Sequence, residues 1–405
     1  MTVVIRSNEV RRGNRGLVLS AVRMGGLVSR TDIGRKTGLS AATVSAITSD
    51  LIADGFLIQP ADANQVPASS GRGRPKVALS VNPMAALIGV VIFQLNRVSA
   101  AVVDYSGATI SESAHELSSA DLSRESIRDA LVGCLREALN SSGQNERLLM
   151  RIAVSIQGVT DVSGKYLLWS PITDHRDLPL AGWMRQAFSV PASVSNDCDL
   201  MARALNRREP ELYGTSFASI MLSYGVGMGL FLRGNIINGL NTSGTEFGHM
   251  VFQPGGALCR CGRRGCIEAY AGDYAIQRAA LGRSEDAPPP APSAHIDFKQ
   301  IADLAHAGDP QAIHAIEEAG RAIGTGLVSL FALVDAFPIA LIGQGTIVFD
   351  YMEPSIRKAL QGAVAGEGTN IDIHCFVDEK PLVAEGCALT ALVVLDEEIA
   401  DAAVI

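Results

Sequence analysis

The chain has 405 residues, of which 47% are apolar and 5% aromatic, and its formal net charge is −8. This length suffices for two or three domains with their own cores, and the apolar content excludes a disordered chain. No apolar run approaches the roughly 20 residues that span a bilayer, and the N-terminus lacks the apolar stretch of a signal peptide. We therefore expect a cytoplasmic α/β protein that does not contact a membrane.

The charge is unevenly distributed along the chain. Residues 1–80 contain eleven bases and five acids, a net charge of +6, which leaves −14 for the remainder. A basic head on an acidic body is typical of a protein whose head alone contacts nucleic acid. On charge alone, a solvated basic surface explains the head equally well.

The basic head contains the pattern of three short helices. The first extends from about Asn14 to Met24, Ser29 caps a second that ends at Gly38, and Ser40 caps a third. Two short helices joined by a tight turn with glycine predict a helix-turn-helix. Its small outward-facing residues let the backbone approach a major groove closely but provide few long hydrogen-bonding side chains. The candidate DNA contacts in this unit are Arg30, Ser40, Ala42, Thr43 and Ser45.

Two apolar segments, 56–58 and 77–81, predict the strands of a β-wing after the third helix. The loop between them contains Gly71-Arg72-Gly73-Arg74-Pro75. Alternating arginine and glycine form a thin cationic strand that fits a narrow minor groove. With a helix-turn-helix upstream, we favour Arg72 and Arg74 as minor-groove contacts over a charged linker.

From Ala86 onward, buried strands alternate with helices, which predicts a mixed α/β fold of two similar lobes. The strands are expected at 87–93, 98–103, 152–156, 218–222 and 339–342, and the helices near 124–140, 179–188, 198–208, 310–335 and 384–400.

Three of the seven cysteines lie within eight positions, and a histidine precedes them. His249, Cys259, Cys261 and Cys266 are the ligand types of a tetrahedral zinc, and four protein ligands leave no open position for catalysis. We therefore predict a structural Zn²⁺; three reactive loop thiols are the less favoured alternative. The isolated cysteines, Cys134, Cys198, Cys375 and Cys387, are interpreted as small core residues.

Polar residues with acceptor oxygens flank this cluster. Glu246 precedes it and Glu268 follows it, and both carboxylates are suited to sugar hydroxyls. Asn196-Asp197 follows a predicted strand and opens a helix. Asp197 can accept a proton in phosphoryl transfer there, or Asn196 or Asp197 can simply cap the helix. Glycine-rich turns at 225–229 and 343–345 suit either phosphate binding or close packing.

The run from Glu246 to His249, followed by Cys259-Arg260-Cys261-Gly262-Arg263-Arg264-Gly265-Cys266-Ile267-Glu268, resembles the fingerprint of the ROK family of bacterial repressors and sugar kinases. The resemblance implies an actin-like (ribonuclease H-like) two-lobed ATPase or sugar-kinase fold, with the zinc on the four residues above. It also implies sugar contacts from Gly158, Asn196, Asp197, Glu246, His249 and Glu268. Val159 replaces a proline that usually follows the glycine at 158.

The N-terminal region resembles the repressor branch of this family, in the segments from Ser29 to Ile33, from Thr37 to Ser45 and from Gly71 to Pro75. This implies a winged helix-turn-helix over 1–82, a first lobe over 83–198, and a second lobe over 199–405 whose last helix returns to the first. In that branch, a sugar or a protein partner changes how a homodimer or homotetramer binds operator DNA.

Two departures from the kinase pattern bear on activity. Family kinases hold ATP phosphates with Asp-x-Gly-Gly-Thr, where this chain has the segment 89–97, with bulky Phe93 and Leu95. Ile172 also replaces a usual asparagine, which leaves the identity of the sugar open. We predict a sugar-responsive repressor with no catalytic residue and with Asp197 as a vestigial base. The alternatives are an active ATP-dependent sugar kinase with an appended DNA-binding head and a sugar-blind repressor controlled by a protein partner.

Overall fold

The computed structural model describes residues 7–60, 78–117, 122–290, 298–361 and 371–402. The arginine-glycine segment with Arg72 and Arg74 lies outside these ranges. Within them, no helix has both the length and the apolar character needed to cross a membrane.

The N-terminal head contains three helices and a small antiparallel sheet. Its elements are α1 (Ser7–Gly25), β1 (Val28–Ser29), α2 (Arg30–Thr37), α3 (Ala41–Ala53), β2 (Leu57–Ile58) and β3 (Ala78–Val81), and the strand order is β1-β3-β2. The predicted caps are present, because the Ser29 and Ser40 side chains accept hydrogen bonds from the backbone N–H groups of Asp32 and Thr43. Gly38 ends α2 with a φ of 72°, a left-handed conformation that glycine adopts without strain. The head therefore has the three expected helices and a small sheet, and its assignment as a winged helix-turn-helix remains a prediction.

The first helix is longer than predicted and begins well before Asn14. Its added turns are polar and carry no apolar periodicity by which the sequence would reveal them. An ion pair links the added turns to α3, with Arg11 3.2 Å from Asp50, and Arg15 at the predicted start lies 2.5 Å from Asp54. The tertiary contact therefore extends α1 beyond the helix that the apolar pattern predicts.

Two lobes with the same sheet topology follow the head. The first contains β4 (Leu87–Gln94), β5 (Arg97–Asp104), β6 (Thr109–Glu116), α4 (Arg124–Ser142), β7 (Leu149–Ile156), β8 (Val159–Thr160), β9 (Leu167–Trp169), α5 (Leu180–Phe188) and β10 (Ala192–Asn196). The second contains α6 (Asp197–Arg208), α7 (Pro210–Tyr213), β11 (Phe217–Leu222), β12 (Val226–Leu232), β13 (Asn235–Ile236), α8 (Glu268–Ala271), α9 (Asp273–Ala280), α10 (Phe298–His306), α11 (Pro310–Val334), β14 (Ile339–Ile342), α12 (Phe349–Gln361), β15 (Ile373–Phe376) and α13 (Lys380–Ala402).

The two five-stranded sheets have the orders β10-β7-β4-β5-β6 and β13-β12-β11-β14-β15. In each sheet, three antiparallel strands continue into two parallel ones. The central strands β7 and β11 are almost wholly buried, as expected for strands covered on both faces. This repeated topology is the two-lobed fold that the sequence predicts.

Several elements were not predicted, and their composition explains why. Strand β6 is an edge strand of mostly polar residues, and α12 contains Pro354 within the helix. The expectation for Cys375 was wrong: it lies on the edge strand β15 and is exposed, whereas Cys134, Cys198 and Cys387 are buried. Because β15 is at the edge of its sheet, no further strand lies beside it, and Cys375 stays exposed although its neighbours in sequence are partly apolar.

The long C-terminal helix α13 connects all three parts of the protein. It packs against α6, against β4 and β7 of the first lobe, and against α1 of the head. One apolar core is continuous across these elements and includes Leu19 and Val22 of α1, Ile88 of β4, and Leu392 and Leu395 of α13. The head therefore shares its core with the body in this arrangement, and the proposed domain boundaries remain a prediction.

A buried polar network fastens the head to α13. Arg23 of α1 donates through Nε and Nη2 to the two carboxylate oxygens of Asp396, at 2.6 and 2.8 Å. The Tyr105 hydroxyl donates to Asp396 Oδ1 at 2.5 Å, and the Tyr105 carbonyl accepts from Arg23 Nη1 at 2.7 Å. All three residues are buried. Because both charges are paired and hydrogen-bonded, the network strongly favours one geometry between the two helices and the first lobe.

Replacing Asp396 by asparagine is expected to lower the free energy of unfolding by about 3–5 kcal/mol, because the Arg23 guanidinium then stays buried without a counter-charge. Thermal unfolding of the full chain measures this as a lower Tm. Glu397→Gln is the matched control, since Glu397 is the next residue of α13 but is exposed, and its effect should stay within about 0.5 kcal/mol. An unchanged Tm for Asp396→Asn would contradict the role of the network.

Candidate functional site

Four side chains on the loop between β13 and α8 converge on one point. His249, Cys259, Cys261 and Cys266 each offer one ligand atom, and these atoms all lie within 4.8 Å of one another. His249 Nδ1 is 3.7 Å from Cys259 Sγ, and Cys261 Sγ is 3.8 Å from Cys266 Sγ. A tetrahedral ion with metal–sulfur bonds of about 2.3 Å requires sulfur–sulfur distances of about 3.8 Å. The cluster therefore has the ligands and the spacing to hold a metal ion.

Tight glycine turns bring these ligands together. Gly262 and Gly265 have φ angles of 84° and 78°. A Cβ atom at Gly265 would lie 1.7 Å from the carbonyl oxygen of Gln253, so no other residue fits there without moving the backbone. The Cys259 N–H donates to the carbonyl of Arg263 across the turn at 2.9 Å. The glycines thus account for the close spacing of the sulfurs.

Two carboxylates lie beside the metal cluster, one near the histidine ring and one near Cys259. His249 Nε2, the nitrogen that does not face the cysteines, lies 3.7 Å from Glu246 Oε2. Glu268, the first residue of α8, accepts from the backbone N–H of Val226 at 3.3 Å, and its other oxygen lies 3.5 Å from Cys259 Sγ. Burial raises the pKa of Glu246. The two ring nitrogens of His249 therefore face different groups, Nδ1 the cysteines and Nε2 Glu246.

Asn196 joins the start of α6 to the turn at Gly158. Its Oδ1 accepts from the N–H groups of Cys198 and Asp199, and its Nδ2 donates to the Gly158 carbonyl at 2.7 Å. Gly158 has a φ of 145°, and a Cβ there would lie 2.3 Å from the carbonyl oxygen of Trp169. The capping interpretation of Asn196 is therefore correct, and its amide also positions the predicted sugar-side turn.

Asp197 lies in a cleft between the lobes. The cleft has a volume of about 500 Å³, and its lining includes Asp197, Leu95 from the β4–β5 hairpin, Gln344 and Glu379. Burial raises the pKa of Asp197 to about 7, and the charge of Glu379 adds to this rise. A carboxylate with this pKa has the right acidity to exchange a proton near neutral pH.

A second buried carboxylate lies beside Asp197. Burial raises the pKa of Asp199 to about 7, against the opposing effect of Arg203, and the carboxylates of Asp197 and Glu246 add to the rise. Asp199 Oδ1 has no hydrogen-bond partner within the described ranges. The effect of Glu246 on the pKa of Asp199 indicates that the metal loop and the start of α6 bring these two acids into one region.

Sequence analysis missed an aromatic clamp on the metal loop. The Arg260 guanidinium carbon lies 3.7 Å from the ring centroid of Tyr224 and 4.4 Å from that of Tyr274. Arg260 also donates to the backbone carbonyl of Tyr224. Both tyrosines lie outside any recognisable motif, so only the folded chain brings them to the loop. The clamp fastens the metal loop to the segment that contains Asp273, whose pKa burial raises to about 6.

A family model described as the ROK family matches residues 96–380. The chain belongs to the ROK family. It is 24% identical to the xylose repressor of Bacillus spizizenii over 363 residues, which cover 88% of this chain and 87% of that protein. It is also 24% identical to the DNA-binding transcriptional dual regulator NagC of Escherichia coli over 354 residues, 87% of this chain and 85% of that one.

Solved ROK structures share the fold. A ROK family transcriptional regulator, described as a homolog of the E. coli MLC protein, aligns with a TM-score of 0.74 and 21% identity, covering 95% of this chain and 99% of the other. A ROK family glucokinase from Streptomyces griseus, in complex with glucose and AMPPNP, aligns with a TM-score of 0.61 and 26% identity, covering 76% and 99%. The family and the predicted fold are thus confirmed. Both a regulator and a kinase are structural neighbours.

The β4–β5 hairpin is where sequence analysis expects the departure from the kinase phosphate loop. Phe93 is 1% exposed and packs in the core of the first lobe, and it also contributes to the lining of the cleft. Leu95 and Asn96 form the turn between β4 and β5 and line the cleft, and Asn96 has a φ of 58°. The hairpin therefore contributes Phe93, Leu95 and Asn96 to the wall of the cleft.

The two glycine-rich turns are explained by packing. Cβ atoms at Gly227 and Gly229 would lie 2.5 Å and 2.3 Å from the Sγ and carbonyl oxygen of Cys198. A Cβ at Gly343, which has a φ of 110°, would lie 2.6 Å from the carbonyl oxygen of Leu222. These glycines permit close contact between elements of the second lobe.

The predicted DNA-contact residues lie on and near α3. Ser40, Ala42 and Ser45 are exposed, Thr43 is half-buried, and Val44, Ile47 and Leu51 face the core. Arg30 donates through Nε to Thr48 Oγ1 at 2.8 Å and so links α2 to α3. The outward face of α3 is therefore free of contacts with the lobes in the described arrangement.

Asp199→Asn is expected to stabilise the protein at high pH. Because the pKa of Asp199 is about 7 in the folded chain and near 4 in an unfolded one, stability falls as pH rises between these values. Asparagine removes this loss, so the variant should gain up to about 4 kcal/mol above pH 7 and much less at pH 5. Thermal unfolding at pH 5 and pH 8 measures the difference.

The matched control is Asp303→Asn, which replaces an exposed carboxylate on α10. Its effect on the free energy of unfolding should be small at both pH 5 and pH 8. An Asp199→Asn variant that gains no more stability at pH 8 than at pH 5 would show that Asp199 does not titrate in this way.

Proposed function

We propose that this ROK protein is a sugar-responsive transcription repressor. Its head binds operator DNA, and its lobes bind a sugar or sugar phosphate without phosphorylating it. The observation that carries the proposal is the physical connection between the two sites: α6 begins at Asp197, beside Asn196 of the candidate sugar site, and lies against α13, which the Arg23 network fastens to the head.

The head has the shape and charge for a duplex. The exposed face of α3 consists of small residues, so its backbone can approach the major groove closely. The net charge of +6 over residues 1–80 favours phosphate contacts. Arg30, Ser40, Ala42, Thr43 and Ser45 are the proposed contacts on this face, and Arg72 and Arg74 are proposed to enter the minor groove. A homodimer or homotetramer would present two such heads to a palindromic operator.

The proposed sugar pocket lies where the metal loop meets the first lobe. Glu246, His249 and Glu268 come from the loop side, and Gly158, Asn196 and Asp197 come from the end of the first lobe and the start of α6. A ligand bound by both groups would favour one relative position of the lobes. Sugar binding then changes the population of head arrangements that fit the operator.

The coupling route from sugar to head runs through the contact between α6 and α13. A Cβ atom at Gly386 of α13 would lie 1.9 Å from the carbonyl oxygen of Leu200 in α6. The helices therefore touch backbone to backbone, and a shift of α6 must move α13 or open this contact. Through Asp396, such a shift reaches Arg23 in the head.

The cleft between the lobes is proposed to lack useful kinase activity. Leu95 stands where a ROK kinase is expected to bring glycine backbone to phosphates, and a side chain there hinders close approach of backbone N–H groups. Asp197 remains, with a pKa of about 7, as a vestigial base.

A structural Zn²⁺ is the proposed metal of the loop, since three thiolates and one imidazole match its preference. The full chain should contain one zinc per chain by elemental analysis, and Cys266→Ser should lose it. Sugar affinity should fall at least tenfold with it, because the ion fixes His249 between its ligands and Glu246. Cys375→Ser, on an exposed cysteine outside the cluster, is the control and should retain the metal. Full zinc content in Cys266→Ser would refute the assignment.

DNA binding is tested by fluorescence anisotropy with the protein's own promoter and with random duplexes. We expect at least a tenfold preference for the promoter, a steep loss of affinity with salt, and a shift of the titration by the sugar that raises Tm in a thermal-shift screen. Equal affinity for promoter and random DNA would refute the repressor. Sugar-dependent ATP turnover at about 1–100 s⁻¹ would instead support a kinase.

A further inference from the structure

A cavity of about 470 Å³ lies between α1, α6 and α13, where the head meets the body. None of the candidate sugar-site residues lines it. Its apolar lining includes Leu17 and Met24 of α1, Phe231 of β12, and Leu389 and Val393 of α13. Leu17, Met24 and Val393 are 49%, 56% and 46% exposed. Exposed apolar side chains that share a concavity of this volume are typical of a small-molecule pocket.

Two arginines of α6 line the same cavity without strong partners. Arg203 has no hydrogen bond or ion pair in the part of the chain that the structure describes; Asp199, one turn earlier, attracts it only at longer range. Arg207 donates to Met24 Sδ at 3.3 Å and to the Arg23 carbonyl at 3.5 Å, both weak contacts. The two guanidinium groups therefore retain donors for an anion.

The net charge of the lining indicates how many negative charges the bound anion carries. The buried pair of Arg23 and Asp396 is neutral, and Glu397 opposes one of the two free arginines. The lining thus carries a net charge of +1. A monoanion with an apolar body matches it, whereas a phosphate would meet Glu397 and leave the apolar wall uncovered.

We propose that this cavity binds a small amphipathic carboxylate. Its carboxylate group accepts hydrogen bonds from Arg203 and Arg207, which are one turn apart on α6 and suited to bidentate contact. Its apolar body covers Leu17, Met24 and Val393 and removes their surface from water. The site is distinct from the sugar pocket and from the cleft between the lobes.

The position of this site allows a ligand bound there to affect how the head is arranged on the body, independently of the sugar. A ligand here touches α1, α6 and α13 at once, directly beside the Arg23 pair. It therefore stabilises the described arrangement of head and body over any in which α1 moves away. Occupancy changes operator affinity by this route, and only that consequence rests on the proposed repressor function.

Calorimetry with the full chain tests the site, using octanoate and phenylacetate as probes and octanamide as a neutral isostere. We expect saturable binding of at least one carboxylate and at least tenfold weaker binding of octanamide. An Arg203→Gln/Arg207→Gln double variant should bind the carboxylate at least tenfold more weakly. Leu17→Asp should weaken it as well, because an added carboxylate repels the probe. Arg128→Gln, on the exposed face of α4, is the matched control and should bind as the wild type does.

Failure of the expected binding pattern overturns the proposal. Equal affinity for octanamide, or wild-type affinity in the double variant, would show binding without the arginines. No saturable heat from either carboxylate would show that the cavity does not take this class. If Leu17→Asp converts a wild-type dimer into a monomer and the wild type gives no heat, a second copy occupies the cavity instead. Carboxylate binding in a protein without promoter preference would refute the repressor function alone.

Discussion

The buried pairing of Arg23 with Asp396 is the interaction on which the three-part architecture depends. The guanidinium and the carboxylate come from opposite ends of the chain. Tyr105 of the first lobe contacts both groups: its hydroxyl donates to Asp396 Oδ1, and its carbonyl accepts from Arg23 Nη1. Neither charge tolerates burial without the other. The pairing therefore makes the position of α1 depend on α13, and α13 in turn depends on both lobes. While the Arg23–Asp396 pair is formed, the head and the two lobes move together.

The metal loop plays the corresponding role for the ligand side. Its residues have little regular secondary structure, and their positions depend on glycine turns, the four metal-ligand side chains and the stacking of Arg260 between two tyrosines. These contacts place Glu246 and Glu268 on either side of the cluster. A loop constrained in this way holds acceptor groups at fixed positions, as the proposed recognition of sugar hydroxyls requires.

The same two lobes serve kinases and regulators in this family, so the fold leaves the activity open. The differences lie in a few positions. Leu95 of the β4–β5 hairpin lines the cleft, and Asp197 and Asp199 are buried acids with pKa values of about 7. Buried acids of this kind are costly to ionise. Their position is consistent with the proposed polar ligand site, with or without chemistry.

The sequence by itself determined the features that depend on local patterns: the caps at Ser29 and Ser40, the buried central strands, the family, and the four residues of the metal cluster. Tertiary structure alone decided the polar start of α1, the edge strands β6 and β15, the inward position of Phe93, the packing role of the glycine turns, and the clamp on Arg260. It also decided the Arg23–Asp396 pair. Periodicity reports which face of one element is apolar, whereas these features arise from partners distant in sequence, and no local pattern encodes a contact between α1 and α13.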